Sequence, residues 1–113
     1  MKIPQEGKLL RIFIGEADKW QGRSLYEAIV ALAREEGLAG ATVVKGMMGY
    51  GCKSHMHTAK FLRLSEDLPV IVEIVDSDEK IQAFLPKLDP MVREGLVTLE
   101  RAQVIWYRAD QDS

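Results

Sequence analysis

The segment Lys8 to Ile14, KLLRIFI, limits what this chain can fold into more than any other stretch. Leu10, Ile12 and Ile14 fall on one face of a strand, Leu9 and Phe13 on the other, and only Arg11 interrupts them. A strand apolar on both faces belongs in the middle of a sheet, or in a sheet covered on both sides. Val70 to Val75 is the most strongly β-branched segment of the chain and reads as a second central strand.

Two helices are spelled out between and after these strands. Ser24-Leu25-Tyr26-Glu27 has the form of a capping box, with Ser24 as N-cap and Glu27 reaching back to it. That helix runs to about Glu36 and ends at Gly37 in a left-handed cap. Leu25, Ala28, Ile29, Leu32 and Ala33 form its apolar stripe, and Arg34, Glu35 and Glu36 its solvated face. Ser77 caps the second helix, with Asp78 and Glu79 in the first turn, where the helix dipole favours acids. Ile81, Phe84, Leu85 and Leu88 are its stripe. Pro86 and Pro90 predict a kink or short break with a final turn through Met91 and Val92 to Glu94, and Gly95 is the next left-handed stop.

The other strands are less sharply drawn. One runs from about Ala41 to Lys45; another begins at about Ala59, includes KFLRLS, breaks at the Ser65 to Pro69 turn and resumes as PVIVEIVD. Leu96 to Glu100 makes a fourth strand, which Ala102 to Tyr107 either extends after a bulge or follows as a fifth. Gly15 to Gly22 is rich in turn residues and holds Trp20, read as a core or interface residue or, alternatively, a stacking platform for a base. The order strand, helix, strand, strand, helix, strand predicts an α+β, ferredoxin-like (βαββαβ) antiparallel sheet with both helices on one face. The second sheet face is apolar as well, so another copy of the chain is expected to bury it.

The 113 residues suffice for one core, and residues 1–113 are read as a single domain. A formal net charge of -2 argues against general nucleic-acid binding, which needs a basic surface field. No apolar run approaches the roughly 18 to 20 residues that span a bilayer. MKIPQEGK lacks the apolar core of a signal peptide, so a cytoplasmic location is expected.

The chemistry is expected in Val43 to Lys60, VVKGMMGYGCKSHMHTAK. Gly46, Gly49 and Gly51 fall within this loop and allow a bend or a close backbone approach. Tyr50, Cys52, Lys53, Ser54, His55 and His57 cluster around and after them. Cys52, the single cysteine, forms with His55 and His57 a donor set suited to zinc. A nucleophilic Cys52 has no orienting residue to serve it, and His55 or His57 as a general base would make the chain a small-molecule enzyme. Against both stands the plainer reading of polar loop residues in solvent or at a subunit contact. No paired carboxylates, triad or P-loop accompany them.

The frame VVKGMMGYG…HTAKFLRLSEDLPVIVEIVD resembles the family known as domain of unknown function 190, from Lys8 to about Ile105, and more distantly the PII nitrogen-signalling proteins. In the latter a strand ends in a Lys-Gly-aromatic-Gly turn, opens into a long loop and returns after a Gly-His-Thr segment. Lys45-Gly46 and His57-Thr58 stand at those two places. The resemblance implies a PII-like trimer with its sheets facing inward and an adenine nucleotide, ADP, AMP or ATP, in each cleft between subunits, with no metal required. The implied nucleotide-binding residues are Lys45, Gly46, Met47, Met48 and Gly49 at the loop start, Arg93 and Gly95 (flanking Glu94) before the fourth strand, and Arg101 after it. Amide nests and arginine forks are what polyphosphates need. Tyr50 lies too early in the loop for the PII modification position, so the resemblance does not extend to uridylylation. It implies a sensor whose 46–60 loop is ordered by the nucleotide and then contacts a partner protein such as a transporter. The alternatives are a metal-binding trimer using Cys52, His55 and His57, since PII-shaped trimers also occur as metal-tolerance proteins, and the small-molecule enzyme.

Overall fold

The structure, a computed structural model, describes residues 6–51 and 67–110. The first strand, β1 (Glu6–Gly15), turns into a small hairpin of β2 (Lys19–Trp20) and β3 (Arg23–Ser24), which hands the chain to helix α1 (Leu25–Glu35). Strand β4 (Thr42–Lys45) follows, then β5 (Pro69–Asp76), α2 (Asp78–Leu88) with a 3-10 turn (Asp89–Met91), and finally β6 (Leu96–Gln103). The main sheet has the order β4-β5-β1-β6, every pairing antiparallel. This is the ferredoxin-like arrangement, and it puts the two doubly apolar strands, β1 and β5, in the centre.

Alternation along the strands divides the sheet into two faces. Leu10, Ile12 and Ile14 of β1 lie opposite Ile74, Val72 and Val70 of β5, and all six are buried. Both helices cover that side, α1 through Leu25, Ala28, Ile29 and Ala33, α2 through Ile81, Phe84 and Leu88. Truncating Phe84, at 1% exposure, to alanine would cost about 3–5 kcal/mol. The opposite face presents Leu9, Phe13, Val44, Ile71, Val75 and Leu96, each half-buried or exposed.

Local sequence explains most boundaries and corrects some expectations. Gly37 takes φ +78, and the bonds from Gly37 N–H to Arg34 O and from Leu38 N–H to Ala33 O close α1 as a Schellman motif. At the other end Ser24 makes no side-chain cap, so the capping box does not form. Ser24 belongs instead to the hairpin, opposite Lys19, and the Leu25 N–H donates to the Asp18 carbonyl at 2.8 Å. The hairpin turns through Gln21 and Gly22, both at positive φ, which matches the strand twist. Trp20 is half-buried against the core. Ser77 does cap α2, its side chain accepting from Lys80 N–H.

Helix α2 runs through Pro86 to Leu88 without a break; the change to a 3-10 turn comes at Asp89, with Pro90 inside it, and ends before Val92 rather than at Glu94. Pro86 sits in the last turn, where one lost bond disrupts little. Gly95 has positive φ (+153), but it stands immediately before β6 instead of stopping a helix. Strand β6 keeps one register against β1 from Leu96 to Gln103, with no bulge, and residues 104–110 add no fifth strand. KFLRLS lies outside the described residues.

Candidate functional site

The register places the two groups of expected binding residues at one end of the sheet. Lys45 at the end of β4 lies opposite Val70, and Val70 lies opposite Ile14. Gly95 continues the row on the far side: a Cβ there would stand 2.6 Å from Phe13 O and 3.3 Å from Ile14 Cγ2. Three strand spacings, about 14 Å, separate Lys45 from Gly95. Within one chain the loop start and the turn before β6 therefore share an end of the sheet but occupy its opposite edges.

The loop start is built around Pro69. Gly46 N–H donates to Pro69 O at 2.7 Å, and a Cβ at Gly46 or Gly49 would approach Pro69 Cγ to 2.7 and 3.0 Å. The glycines let the chain fold over the proline ring, so the close approach they permit is to their own chain. Beyond this clasp Met47, Met48 and Tyr50 project into solvent, Met47 at 95% exposure. Lys45 Nζ pairs with Glu16 Oε2 at 2.9 Å. The returning end of the loop is tied to the same place: Asp67 Oδ1 accepts from Ala17 N–H at 2.9 Å, and Glu16 N–H donates to Leu68 O at 2.8 Å.

At the other edge, Arg93 and Glu94 border a cavity of about 220 Å³ whose walls include Ala17, Asp18, Lys19, Leu25 and Met91. Lys19 brings a second cation beside Arg93. Sequence reading missed it; the available signal was a charged, turn-rich stretch directly after a central strand, which must lie at that strand's end. Arg101 stands apart from both groups. It is inside β6 rather than after it, opposite Lys8, about 20 Å along the strand from Gly95. A wider, open depression of about 800 Å³ runs between α1 and Val43, lined by Arg23, Glu27, Arg34 and Glu35 in balanced charge.

Cys52, His55 and His57 lie outside the described residues, as does the loop between Gly51 and Asp67. Among the described residues no group of three histidine, cysteine or acidic side chains is placed to hold a metal ion. No helix among them is long and apolar enough to cross a membrane. After β6 the chain carries exposed Ile105 and Trp106, with the Arg108 guanidinium 4.4 Å from the Trp106 ring centre, and Tyr107 Oη donates to Ala39 O at 3.0 Å.

Comparison with known proteins places these features among relatives. Residues 7–104 match the family DUF190, described as "Uncharacterized ACR". A UPF0166 protein of Aquifex aeolicus (strain VF5) is 41% identical over 99 residues, covering 88% of this chain and 93% of that one. A UPF0166 protein of Methanocaldococcus jannaschii is 40% identical over 102 residues, covering 88% and 92%. Among solved structures, CPII from Thiomonas intermedia K12 bound to ADP, AMP and acetate superposes with a TM-score of 0.63 at 23% identity over 92% of each chain. The apo form of CPII, a nitrogen regulatory PII-like protein, gives 0.60 at 21% identity over 88% of this chain and 91% of that one.

Proposed function

The chain belongs to the DUF190 family, and from that premise we propose that it is a PII-like signalling protein that binds an adenine nucleotide between subunits of a trimer. The observation that carries this reading is the split site: Lys45 to Gly49 and Arg93 to Gly95 share one end of the sheet on opposite edges. Copies packed through the open sheet face would bring the β4 edge of one beside the β6 edge of the next. ADP and AMP bound to the PII-like CPII support the choice of ligand.

In this reading Lys45, Gly46, Met47, Met48 and Gly49 border the nucleotide from one subunit. Arg93 and Gly95, with Lys19, border it from the other, and Arg101 reaches a cleft through the assembly. The bare backbone at Gly95 allows close approach, and Arg93 supplies a forked donor to phosphate. Because Glu16 holds Lys45, a phosphate must compete with that carboxylate, which gives the loop start two alternative partners. A nucleotide that binds one loop arrangement better than the other shifts the 46–60 loop, and the loop then regulates a partner protein such as a transporter in the cytoplasm.

Titration calorimetry of the purified protein with ADP, AMP and ATP, with solution mass recorded, tests the proposal. One saturable site per subunit of a trimer, retained with EDTA present, is the expected result. Arg93→Ala should weaken binding by about 1.5–3 kcal/mol, roughly ten- to a hundred-fold, through loss of a charged hydrogen bond. Absence of binding by all three nucleotides would sink the reading.

A further inference from the structure

Among the described residues, the open face of the sheet carries charge at one place only. There Arg11 of β1 reaches Glu73 of β5 through Nε (2.9 Å to Oε2) and Glu100 of β6 through Nη1 (2.7 Å to Oε2). The bond to Glu73 first, opposed by desolvation and helped by the charge of Glu100, raises the Arg11 pKa above its ordinary value, so the guanidinium stays charged. The cluster therefore holds two carboxylates against one cation. The other polar side chains that alternation puts on this face among the described residues, Thr42 and Thr98, carry no charge.

Exposed to water, this excess negative charge costs little. It becomes costly once another surface excludes the water, unless a proton or a counter-charge arrives with it. Arg11 Nη2 has donors that neither bond uses, and Glu100, at 55% exposure, has acceptor capacity left. A surface that both donates to the carboxylate and accepts from the guanidinium, amid apolar side chains, is a second copy of this same face. Because that copy brings the same excess of one carboxylate, closing the face calls for protons as well as hydrogen bonds.

We propose that the Arg11–Glu73–Glu100 cluster is the polar lock of a self-association face and makes assembly through that face take up protons. The inference rests on the subunit packing proposed above. Its sign follows from desolvation: excluding water penalises the charged form of the cluster's excess carboxylate and so favours closure with a proton. Association is then strongest at low pH and weakens as pH rises, by about ten-fold per pH unit for each proton taken up.

Sedimentation velocity of the full chain between about pH 5 and pH 8 reads this directly. The native chain should dissociate progressively as pH rises. Glu100→Gln should stay assembled at the upper end and lose the pH dependence, whereas Arg11→Met, left with two unpaired carboxylates, should dissociate at a lower pH than the native chain. Glu79→Gln, an equal change in net charge on the exposed first turn of α2, should keep the native profile; circular dichroism of each variant confirms that it is folded. Assembly that is independent of pH, or a Glu100→Gln profile identical to the native one, overturns the lock while leaving the packing intact. A chain that is monomeric at every pH overturns both.

Discussion

Pro69 is a small residue in an influential place, because Gly46 and Gly49, far upstream in sequence, make room for it. A methyl group at position 46 would sit 2.7 Å from the proline ring, whereas at position 51 it would meet no atom of the described residues within 4 Å. Gly46→Ala should therefore destabilise the protein by about 1–3 kcal/mol through overpacking, with Gly51→Ala near neutral. Differential scanning calorimetry of the pair decides it, and equal melting temperatures would mean that the loop start yields freely. The sequence displayed the glycine cluster and its need for a close approach. It did not display the partner, since nothing local links Gly46 to a proline across a long loop. Ser24 teaches the converse: its capping-box pattern was sound locally, yet the hairpin claimed the residue first.

At the scale of elements, β1 and β5 were readable from their apolar residues on both faces, and both helices from their stripes, with Gly37 closing α1 and Ser77 capping α2 as expected. The extent of β6 was harder to read, because no breaker in the sequence marks Gln103, where the strand ends. The end of β5 is fixed by Asp76, 1% exposed, whose carboxylate accepts from Ala39 N–H at 2.8 Å and Ser77 N–H at 2.6 Å. This one side chain joins the end of a central strand to the start of α2 and to the connection leading into β4. Asp76→Ala would leave two backbone donors without their acceptor and should cost about 3 kcal/mol. Urea unfolding monitored by circular dichroism gives the value; a loss below about 1 kcal/mol would mean that water replaces the carboxylate.

For the whole molecule, the sequence announced a problem that one chain does not solve: two helices cover one sheet face, and the other remains apolar. Which residues meet across that face, and that Lys45 and Gly95 share a row, came only from strand order, because residues fifty apart in sequence carry no mark of adjacency. Phe13 lies on the open face of a central strand, away from the helices. Phe13→Glu should lower the solution mass to that of one chain with far-ultraviolet circular dichroism unchanged, as judged by light scattering. A retained native mass would move the contact elsewhere.

In the proposed assembly, the division of the site between opposite sheet edges would tie ligand capture to protein abundance. A pocket whose halves belong to different molecules is diluted away along with the protein, and any molecule filling it also glues its two halves together by mass action. A protein built on the proposed plan would gauge its own level together with its ligand's, and its response curve would steepen or flatten as expression changes.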